Sequence, residues 1–453
     1  MRGNRPAAVA AALTALLATA SGCADPEPKE TPLTQQVAHA RLYGTDGNMS
    51  NSFGDAMKNL PGILNGMKGT TPLTPLPDDF KRRLRAIDPN LVDYIYAAEA
   101  YDAVVIPALA IETARTTDGV TAARYVNGVT TGGTTCESIK ACLDLIHAGE
   151  NIAYRGVSLR RSGFTDAGEP SSASYGALNF GRDNHIDDGK TEYVGAGDES
   201  AQTKQPSPIP PPATTKPPRN VPPLKVGGLL PHTGGLAIAG PPMFAAAKLA
   251  VKELNAAGGI LGQPVEWVDG DDGTSPDVAN ATVDRFISAG VQVIVGASAS
   301  GVSLAVLPKV IAAGRIMISP SATSDALTTF DDHGLFFRTS PPDVLQAKAL
   351  ADIVMRDGAQ KVAIVARDDA YGTGFLKNLV GDLTAAGVKS ANIRQATYKG
   401  KDKYDEAAEL GPVFGPFAKT VKQFSPDAIV IIGFDESSLV IKAMLAEKVR
   451  ITG

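Results

Sequence analysis

The feature that most constrains the fold is an alternation of apolar strands and amphipathic helices in the second half of the chain. From residue 224 onward, runs such as LKVGGLL, VQVIVGA and DAIVIIGF have the length and composition of buried strands. Between them, apolar residues recur at helical spacing, for example over residues 243–256 and 276–289. This alternation predicts an α/β fold with parallel strands covered by helices on both faces. In such sheets, ligands bind at the carboxyl ends of the strands.

A proline-rich stretch divides the chain. Residues 201–223 contain nine prolines, all between Pro206 and Pro223. Proline at this density is incompatible with the interior of a helix or a sheet, and it favours an extended, solvated linker. The sequence therefore predicts two segments, 24–200 and 224–453, joined by a tether.

The first 23 residues have the character of an export signal. Arg2 and Arg5 precede an apolar run over residues 7–20, which is too short to span a membrane as a mature helix. The run ends in ASGC, which resembles the lipobox of bacterial lipoproteins. That resemblance implies that Cys23 becomes the lipid-modified first residue of the mature protein. An ordinary signal peptide with an incidental cysteine is the alternative, and both interpretations place the protein outside the cytoplasm.

Export changes how the two other cysteines are interpreted. Cys136 and Cys142 are separated by five residues, whereas a redox-active pair of the C-x-x-C type is separated by two. Outside the cytoplasm such a pair can oxidise and close a small loop. We therefore expect a structural disulfide, with two buried free thiols as the alternative.

Composition and motifs argue against several classes of function. The formal net charge is -5, from 43 Lys+Arg against 48 Asp+Glu, so a nucleic-acid partner is not expected. The five histidines lack the spacing of a metal site, and neither a metal nor a cofactor is expected. The motif GASAS over residues 296–300 lacks the last glycine of a nucleophile elbow, and no phosphate-binding glycine motif follows a strand. The protein is therefore expected not to be an enzyme.

Small hydroxyls and aromatics follow the predicted strands instead. Ser300 begins a helix, where free N–H groups and the helix dipole favour an anion such as a carboxylate. Ser321 and Thr323 follow the next strand, Tyr371 follows KVAIVA, and Phe434 follows DAIVIIG. Each could instead be a helix cap or an aromatic that covers a sheet edge. Because all five lie at the same edge of the predicted sheets, they together favour a site for a small zwitterion.

Several motifs resemble the amino-terminal lobe of type I periplasmic binding proteins, in particular the branched-chain amino-acid binding proteins of ABC importers. The motifs are GGLAIAGPPMFAAAKLAVKELNAAGGILGQPVEWVDGDDGTSP, VIVGASASGVSLAVLP, IMISPSATSDALT, FFRTSPPD and RDDAYGTG, and they extend over about 230 residues. The resemblance implies two α/β lobes joined by a hinge. It implies that Ser300, Ser321 and Thr323 hold the α-carboxylate and α-ammonium groups of the ligand. It further implies that Tyr371 closes on the ligand from the other lobe, and that Phe434 replaces a frequent tyrosine.

The order of the motifs differs from that of the family. Residues 224–343 resemble the first lobe and residues 344–453 the start of the second, whereas the remainder resembles parts of residues 24–200. We therefore expect a circular permutation, in which residues 24–200 complete both lobes and the chain crosses between lobes near residues 75, 157 and 343. New ends on exposed loops make a permutation tolerable. An engineered or misassembled gene order is the alternative.

The permuted order also implies a role for an acid. RLYGTDGNMSNSFGD, residues 41–55, resembles the strand and loop in which the family carries the acid that pairs with the ligand's α-ammonium, and Asp46 stands at that position. The alternative is an aspartate that forms a turn before Gly47. Tyr96 resembles an aromatic that lines the ligand's side chain.

The sequence therefore predicts an exported, lipid-anchored solute-binding protein with two lobes. Its expected partners are an amino acid or related small ligand and an ABC permease, and its expected contact with the membrane is the lipid anchor alone. A sensor subunit of the same fold, without transport, is the alternative.

Overall fold

The computed structural model describes residues 39–205, 207–211 and 221–452. Fifteen strands lie in this part of the chain: β1 Ala40–Gly44, β2 Lys68–Pro72, β3 Thr134–Cys136, β4 Ile152–Tyr154, β5 Ser172–Asn179, β6 Glu192–Gly197, β7 Lys225–Leu230, β8 Glu266–Asp271, β9 Val293–Gly296, β10 Ile316–Ser319, β11 Phe336–Arg338, β12 Val362–Asp368, β13 Ile393–Lys399, β14 Ala428–Ile432 and β15 Ile451–Thr452.

The α-helices of the described residues alternate with these strands over most of the chain. They are α1 Asn51–Ala56, α2 Asp78–Arg85, α3 Ala97–Ala114, α4 Gly119–Val126, α5 Ile139–His147, α6 Gly240–Ala256, α7 Pro276–Ser288, α8 Ser300–Ala312, α9 Asp325–Thr328, α10 Asp343–Arg356, α11 Ala370–Ala385, α12 Glu406–Glu409, α13 Gly415–Phe424 and α14 Ser437–Ala446.

The first lobe is built on a five-stranded parallel sheet in the order β11-β10-β9-β7-β8. All five strands come from residues after the tether, but the helices that cover them do not. Helix α3, from the early segment, is buried over its entire length and packs on α6, β9 and β10. Because α3 covers apolar surface of a sheet contributed by the later segment, the first lobe contains both segments.

The second lobe is built on a larger sheet in the order β13-β12-β14-β1-β2-β5-β6, with β15 also paired to β1. Strand β1 of the early segment is parallel to β14 of the later one, with Arg41 opposite Ala428 and Tyr43 opposite Val430. It is also parallel to β15, where Ala40 lies opposite Ile451. The two segments therefore share one hydrogen-bonded sheet.

One part of this sheet differs from the parallel arrangement that the sequence predicts. Strand β5 is antiparallel to β2, and β6 is antiparallel to β5. Antiparallel neighbours can be joined by a short connection, whereas parallel neighbours need a crossover. Strand β6 therefore follows β5 at the edge of the sheet without an intervening α-helix.

Apart from the tether between β6 and β7, the chain passes between the two lobes three times: between β2 and α2, between β4 and β5, and between β11 and α10. The segment before β5 is held by Asp102 of α3, whose carboxylate accepts hydrogen bonds from the Ser158 N–H at 2.7 Å and the Tyr154 hydroxyl at 2.7 Å. The backbone N–H groups of Val157 and Leu159 donate to the same carboxylate. This buried acid fixes the path of one connection between the lobes.

The predicted disulfide is present. Cys136 at the end of β3 is bonded to Cys142 of α5, which closes a small loop on the first lobe. Cys23 and the predicted signal peptide lie outside the described residues, as do Pro206 and residues 212–220 of the tether. None of the helices in the described part of the chain combines the length and the apolar character that a membrane crossing requires.

Candidate functional site

A cleft between the two lobes contains most of the predicted site residues. Its walls combine small hydroxyls, one carboxylate and a large apolar surface. The lining residues are Asp46, Gly47, Ser50, Ile95, Tyr96, Leu236, Ile238, Ala239, Met243, Ser298, Ala299, Ser300, Ser321, Tyr371 and Phe434.

Asp46 is the acidic residue of this cleft. It follows β1 in a turn that is closed by a hydrogen bond from the Thr45 N–H to Asn48 Oδ1 at 2.9 Å. Its carboxylate accepts from the hydroxyls of Tyr96 at 2.7 Å and Tyr371 at 2.8 Å, and from the Gln346 amide at 2.9 Å. Burial raises the pKa of Asp46, and these three donors oppose that shift.

The hydrogen bonds leave Asp46 incomplete as an acceptor. An ionised carboxylate offers about four acceptor positions. Among the described residues, Oδ1 accepts from Tyr371 and Gln346, whereas Oδ2 accepts only from Tyr96. One acceptor position on Oδ2 is therefore free for a further donor, and an ammonium group is a donor of matching charge.

An aromatic wall stands beside this acid. The rings of Tyr371 and Phe434 are stacked, with centroids 5.5 Å apart. The guanidinium of Arg367 lies over the Phe434 ring, 3.9 Å from its centroid. It also donates a hydrogen bond to the Glu436 carboxylate at 2.7 Å. The Phe434 ring therefore contacts both an aromatic ring and a buried cation, and both contacts help to hold its orientation.

The opposite side of the cleft carries Ser300 and Ser321, which together form a serine rim. Ser300 is the first residue of α8, a helix of 13 residues, and its side chain is buried. Its Oγ accepts hydrogen bonds from the backbone N–H groups of Thr323 and Ser324, each at 3.1 Å. The hydroxyl hydrogen of Ser300 is therefore free to donate, and the helix N-terminus favours an anionic acceptor.

Ser321 and Thr323 lie in the loop that follows β10. Ser321 lines the cleft, and its hydroxyl donates to the Ser298 carbonyl at 3.3 Å. Thr323 is buried directly behind Ser300, and its hydroxyl has no hydrogen-bond partner among the described residues. The structure therefore brings six of the seven predicted residues to the cleft surface and places Thr323 one layer behind it.

The sequence reasoning missed several residues of this site. Gln346 is fully buried on α10 and supplies the third donor to Asp46. An amide among the mostly apolar residues on the buried face of α10 is the signal that could have identified it. Ser298 also lines the cleft, and its N–H donates to Asp272 at 2.8 Å. The apolar wall formed by Leu236, Ile238 and Met243 was not predicted either.

Comparison with known proteins gives a consistent result. Residues 223–446 match the sequence family described as periplasmic binding protein. The chain is 30% identical over 182 residues to a Leu/Ile/Val-binding protein homolog of Brucella melitensis, and this alignment covers 40% of this chain and 49% of that protein. It is 31% identical over 228 residues to the chemotactic signal transduction system substrate-binding protein BasB of Halobacterium salinarum. That alignment covers 48% of this chain and 51% of BasB. The chain thus spans about half the length of the curated relatives it matches.

Among solved structures, the chain is similar to the branched-chain amino-acid transporter substrate-binding protein LivJ of Streptococcus pneumoniae in complex with isoleucine. The identity is 27%, the alignment covers 51% of this chain and 62% of that one, and the TM-score is 0.42.

Proposed function

Because this chain belongs to the type I periplasmic binding proteins of the branched-chain amino-acid family, we propose that its cleft captures an aliphatic α-amino acid outside the cytoplasm. The observation that supports this most strongly is the free acceptor position of a buried carboxylate, Asp46, in a cleft whose other polar groups are hydroxyls. A buried acid that lacks a counter-ion strongly favours a ligand that carries a cationic donor.

The ligand's α-carboxylate binds at the serine rim in this proposal. Ser300 has a hydroxyl hydrogen free to donate, and it stands at the N-terminus of α8. Ser321 supplies a second hydroxyl on the same side of the cleft, once its hydrogen turns from the Ser298 carbonyl to the ligand. Hydroxyl donors and a helix N-terminus together suit one carboxylate group.

The α-ammonium group binds Asp46 on the other side. Tyr96 and Tyr371 already fix the orientation of the carboxylate, so little conformational freedom is lost when the ligand binds. Thr323 lies one layer behind the cleft, and its backbone N–H donates to Ser300 Oγ, which restricts the orientation of the Ser300 hydroxyl. An acid without an ammonium group leaves Asp46 unpaired, and an aromatic carboxylate is therefore a poorer ligand.

The apolar wall selects the ligand's side chain. Leu236, Ile238, Ala239 and Met243 of the first lobe and Ile95 beside Tyr96 present hydrocarbon to the cleft. Each methylene of the ligand buried there gains about 0.8 kcal/mol. Leucine, isoleucine and valine match this surface better than polar amino acids do.

Transport and sensing use the same closed form. The lobes close on the ligand by hinge motion, and the closed form is then recognised by a membrane partner. We propose delivery to an ABC permease, in keeping with the Leu/Ile/Val-binding relatives. A signalling partner is the second candidate, since one relative is a substrate-binding protein of a chemotactic signal transduction system.

We also propose that the chain is a circular permutation of the family order, anchored through Cys23. The pairing of β1 with both β14 and β15 supports the permutation. Strand β1, which begins at residue 40, lies in the sheet beside the last two strands of the later segment. The ASGC motif supports the lipid anchor.

A thermal-shift panel tests the ligand class. Ligands that bind only the folded state raise the stability by about 2.7 kcal/mol at one hundred times Kd. We expect leucine, isoleucine and valine to raise Tm, and leucinamide, 4-methylpentanoate and 4-hydroxybenzoate to raise it much less. A larger shift with the carboxylates that lack an ammonium group would contradict the proposal.

A further inference from the structure

A second buried acid lies directly behind the cleft. Asp343 is the first residue of α10, and its side chain is completely buried. Neither of its carboxyl oxygens has a hydrogen-bond partner among the described residues. Its backbone N–H donates to the Thr323 carbonyl at 2.8 Å, which attaches it to the loop that carries Ser321 and Thr323.

The surroundings of Asp343 are polar but incompletely paired. Gln346, one turn further along α10, donates to Asp46 and to the Thr70 carbonyl, each at 2.9 Å, so α10 connects the two acids. Strands β2 and β5, on which α10 packs, carry Thr70 and Tyr175. The Thr70, Tyr175 and Thr323 hydroxyl oxygens and Gln346 Oε1 are buried and have no hydrogen-bond partner in the part of the chain that the structure describes.

The charges around Asp343 are mostly of the same sign. Burial raises the pKa of Asp343 well above its usual value, and the charge of Asp46 raises it further. The titratable groups that act on Asp343 from the neighbouring elements are Asp46, Asp325, Tyr175, Tyr371 and Arg338.

The single cation in this set is already paired. Arg338 donates to the carboxylate of Glu169 at 2.9 Å and to the carbonyls of Ala322 and Ser324. Two ionised carboxylates without a counter-ion are unstable in a buried site, and such a pair commonly keeps one proton. The proton belongs to the pair rather than to either residue.

We propose that Asp46 and Asp343 share one proton, which leaves when the α-ammonium group of a ligand binds, so that Asp343 helps the cleft to select cationic amines. The O–H bond of the protonated carboxyl breaks, the proton passes to the buffer, and the ligand's ammonium keeps its own hydrogens. This inference rests on the proposed function, and it adds that ligand binding is coupled to proton release.

The sign of the pH dependence follows from this exchange. Below the pKa of the acid pair in the unliganded protein, the pair must lose a proton on binding, so affinity rises up to tenfold for each pH unit. Above that pKa the pair is already ionised, and affinity is independent of pH. Affinity for leucine therefore falls on acidification although the ligand keeps its ammonium group.

Calorimetry in two buffers tests the proposal. Leucine is titrated into the wild-type protein at pH 7 in phosphate and in Tris, whose different ionisation enthalpies report the number of protons released. The variants are Asp343→Asn, which removes the second acid, and Asp331→Asn, which removes an acid whose side chain is 88% exposed. We expect the wild type and Asp331→Asn to release up to about one proton, and Asp343→Asn to release almost none while it still binds leucine.

The outcomes separate this inference from the proposed function. Leucine binding by the wild type without proton release would overturn the inference and leave the proposed function standing. Equal proton release by Asp343→Asn and the wild type would also overturn it. Failure of the wild type to bind leucine would contradict both. If Asp343→Asn does not fold, the dependence of the wild-type Kd on pH between 5.5 and 8.5 decides, because a flat profile excludes the exchange.

Discussion

The buried ion pair between Arg338 and Glu169 provides the sharpest test of how the two segments cooperate. Glu169 precedes the tether and Arg338 follows it, and their side chains are only 9% and 1% exposed. Arg338 also donates to the carbonyls of Ala322 at 3.2 Å and Ser324 at 2.9 Å. One guanidinium therefore connects the early segment, β11 and the loop that carries Ser321.

We expect Arg338→Met to lower the free energy of unfolding by about 3–5 kcal/mol, the usual cost of removing one partner of a buried ion pair. The loss has two sources. Glu169 becomes an unpaired buried charge, and two backbone carbonyls lose their donor. Glu169→Gln keeps the shape and some hydrogen bonds, so it should cost less. Because the pair acts as a unit, the double variant should cost less than the sum of the two single variants.

The assay is urea unfolding followed by circular dichroism, with leucine affinity measured on the folded variants. A matched control is Arg161→Met, because Arg161 and Glu199 form an exposed pair 3.8 Å apart that should contribute at most about 1 kcal/mol. Arg338→Met should also weaken leucine binding, because the loop of Ser321 loses its support. The reasoning is refuted if Arg338→Met and Arg161→Met have the same stability.

Three further predictions follow from the sheets, the connection between lobes and the amino terminus. Proteolytic cleavage within residues 201–223 after folding should leave one species that still binds leucine, because β1 pairs with β14 and β15. Two halves that separate on a sizing column and melt independently in calorimetry would contradict the permutation. Asp102→Asn should lower the stability by about 2 kcal/mol in urea, since the carboxylate accepts from several buried donors, and an unchanged midpoint would show that the connection is held otherwise. Cys23→Ser should move the protein from the membrane fraction to the soluble fraction, and equal membrane retention would exclude the lipid anchor.

The strongly periodic parts of the fold could be predicted from the sequence. The predicted helix over 276–289 corresponds to α7, Pro276–Ser288, because proline at the first turn and glycine after the last set both ends locally. Strand β14 was predicted because a short, continuous apolar run is typical of a strand buried on both faces. Strands β6 and β13 were missed, because both lie at sheet edges and carry polar residues.

The predicted residues of the candidate site mostly follow strand ends, whereas Tyr96, which precedes α3, was predicted through the family resemblance alone. Ser300, Tyr371 and Phe434 line the cleft because the carboxyl ends of parallel strands meet at one edge. The contribution of Gln346 depends on the packing of α10 against β2, about 275 residues away in the chain, which no local pattern encodes. The same holds for Asp343, whose burial results from that packing.

The most direct test of the central claim is the affinity of the Asp46→Asn variant for leucine, compared with its affinity for 4-methylpentanoate, which lacks the ammonium group. Asparagine keeps the shape of the side chain and removes its charge. We expect calorimetry to show that leucine binding weakens by at least about 1.4 kcal/mol, or tenfold, whereas binding of 4-methylpentanoate is unchanged or strengthened. Equal leucine affinity in the wild type and the variant would show that Asp46 does not bind the ammonium group, and the proposed site would be wrong.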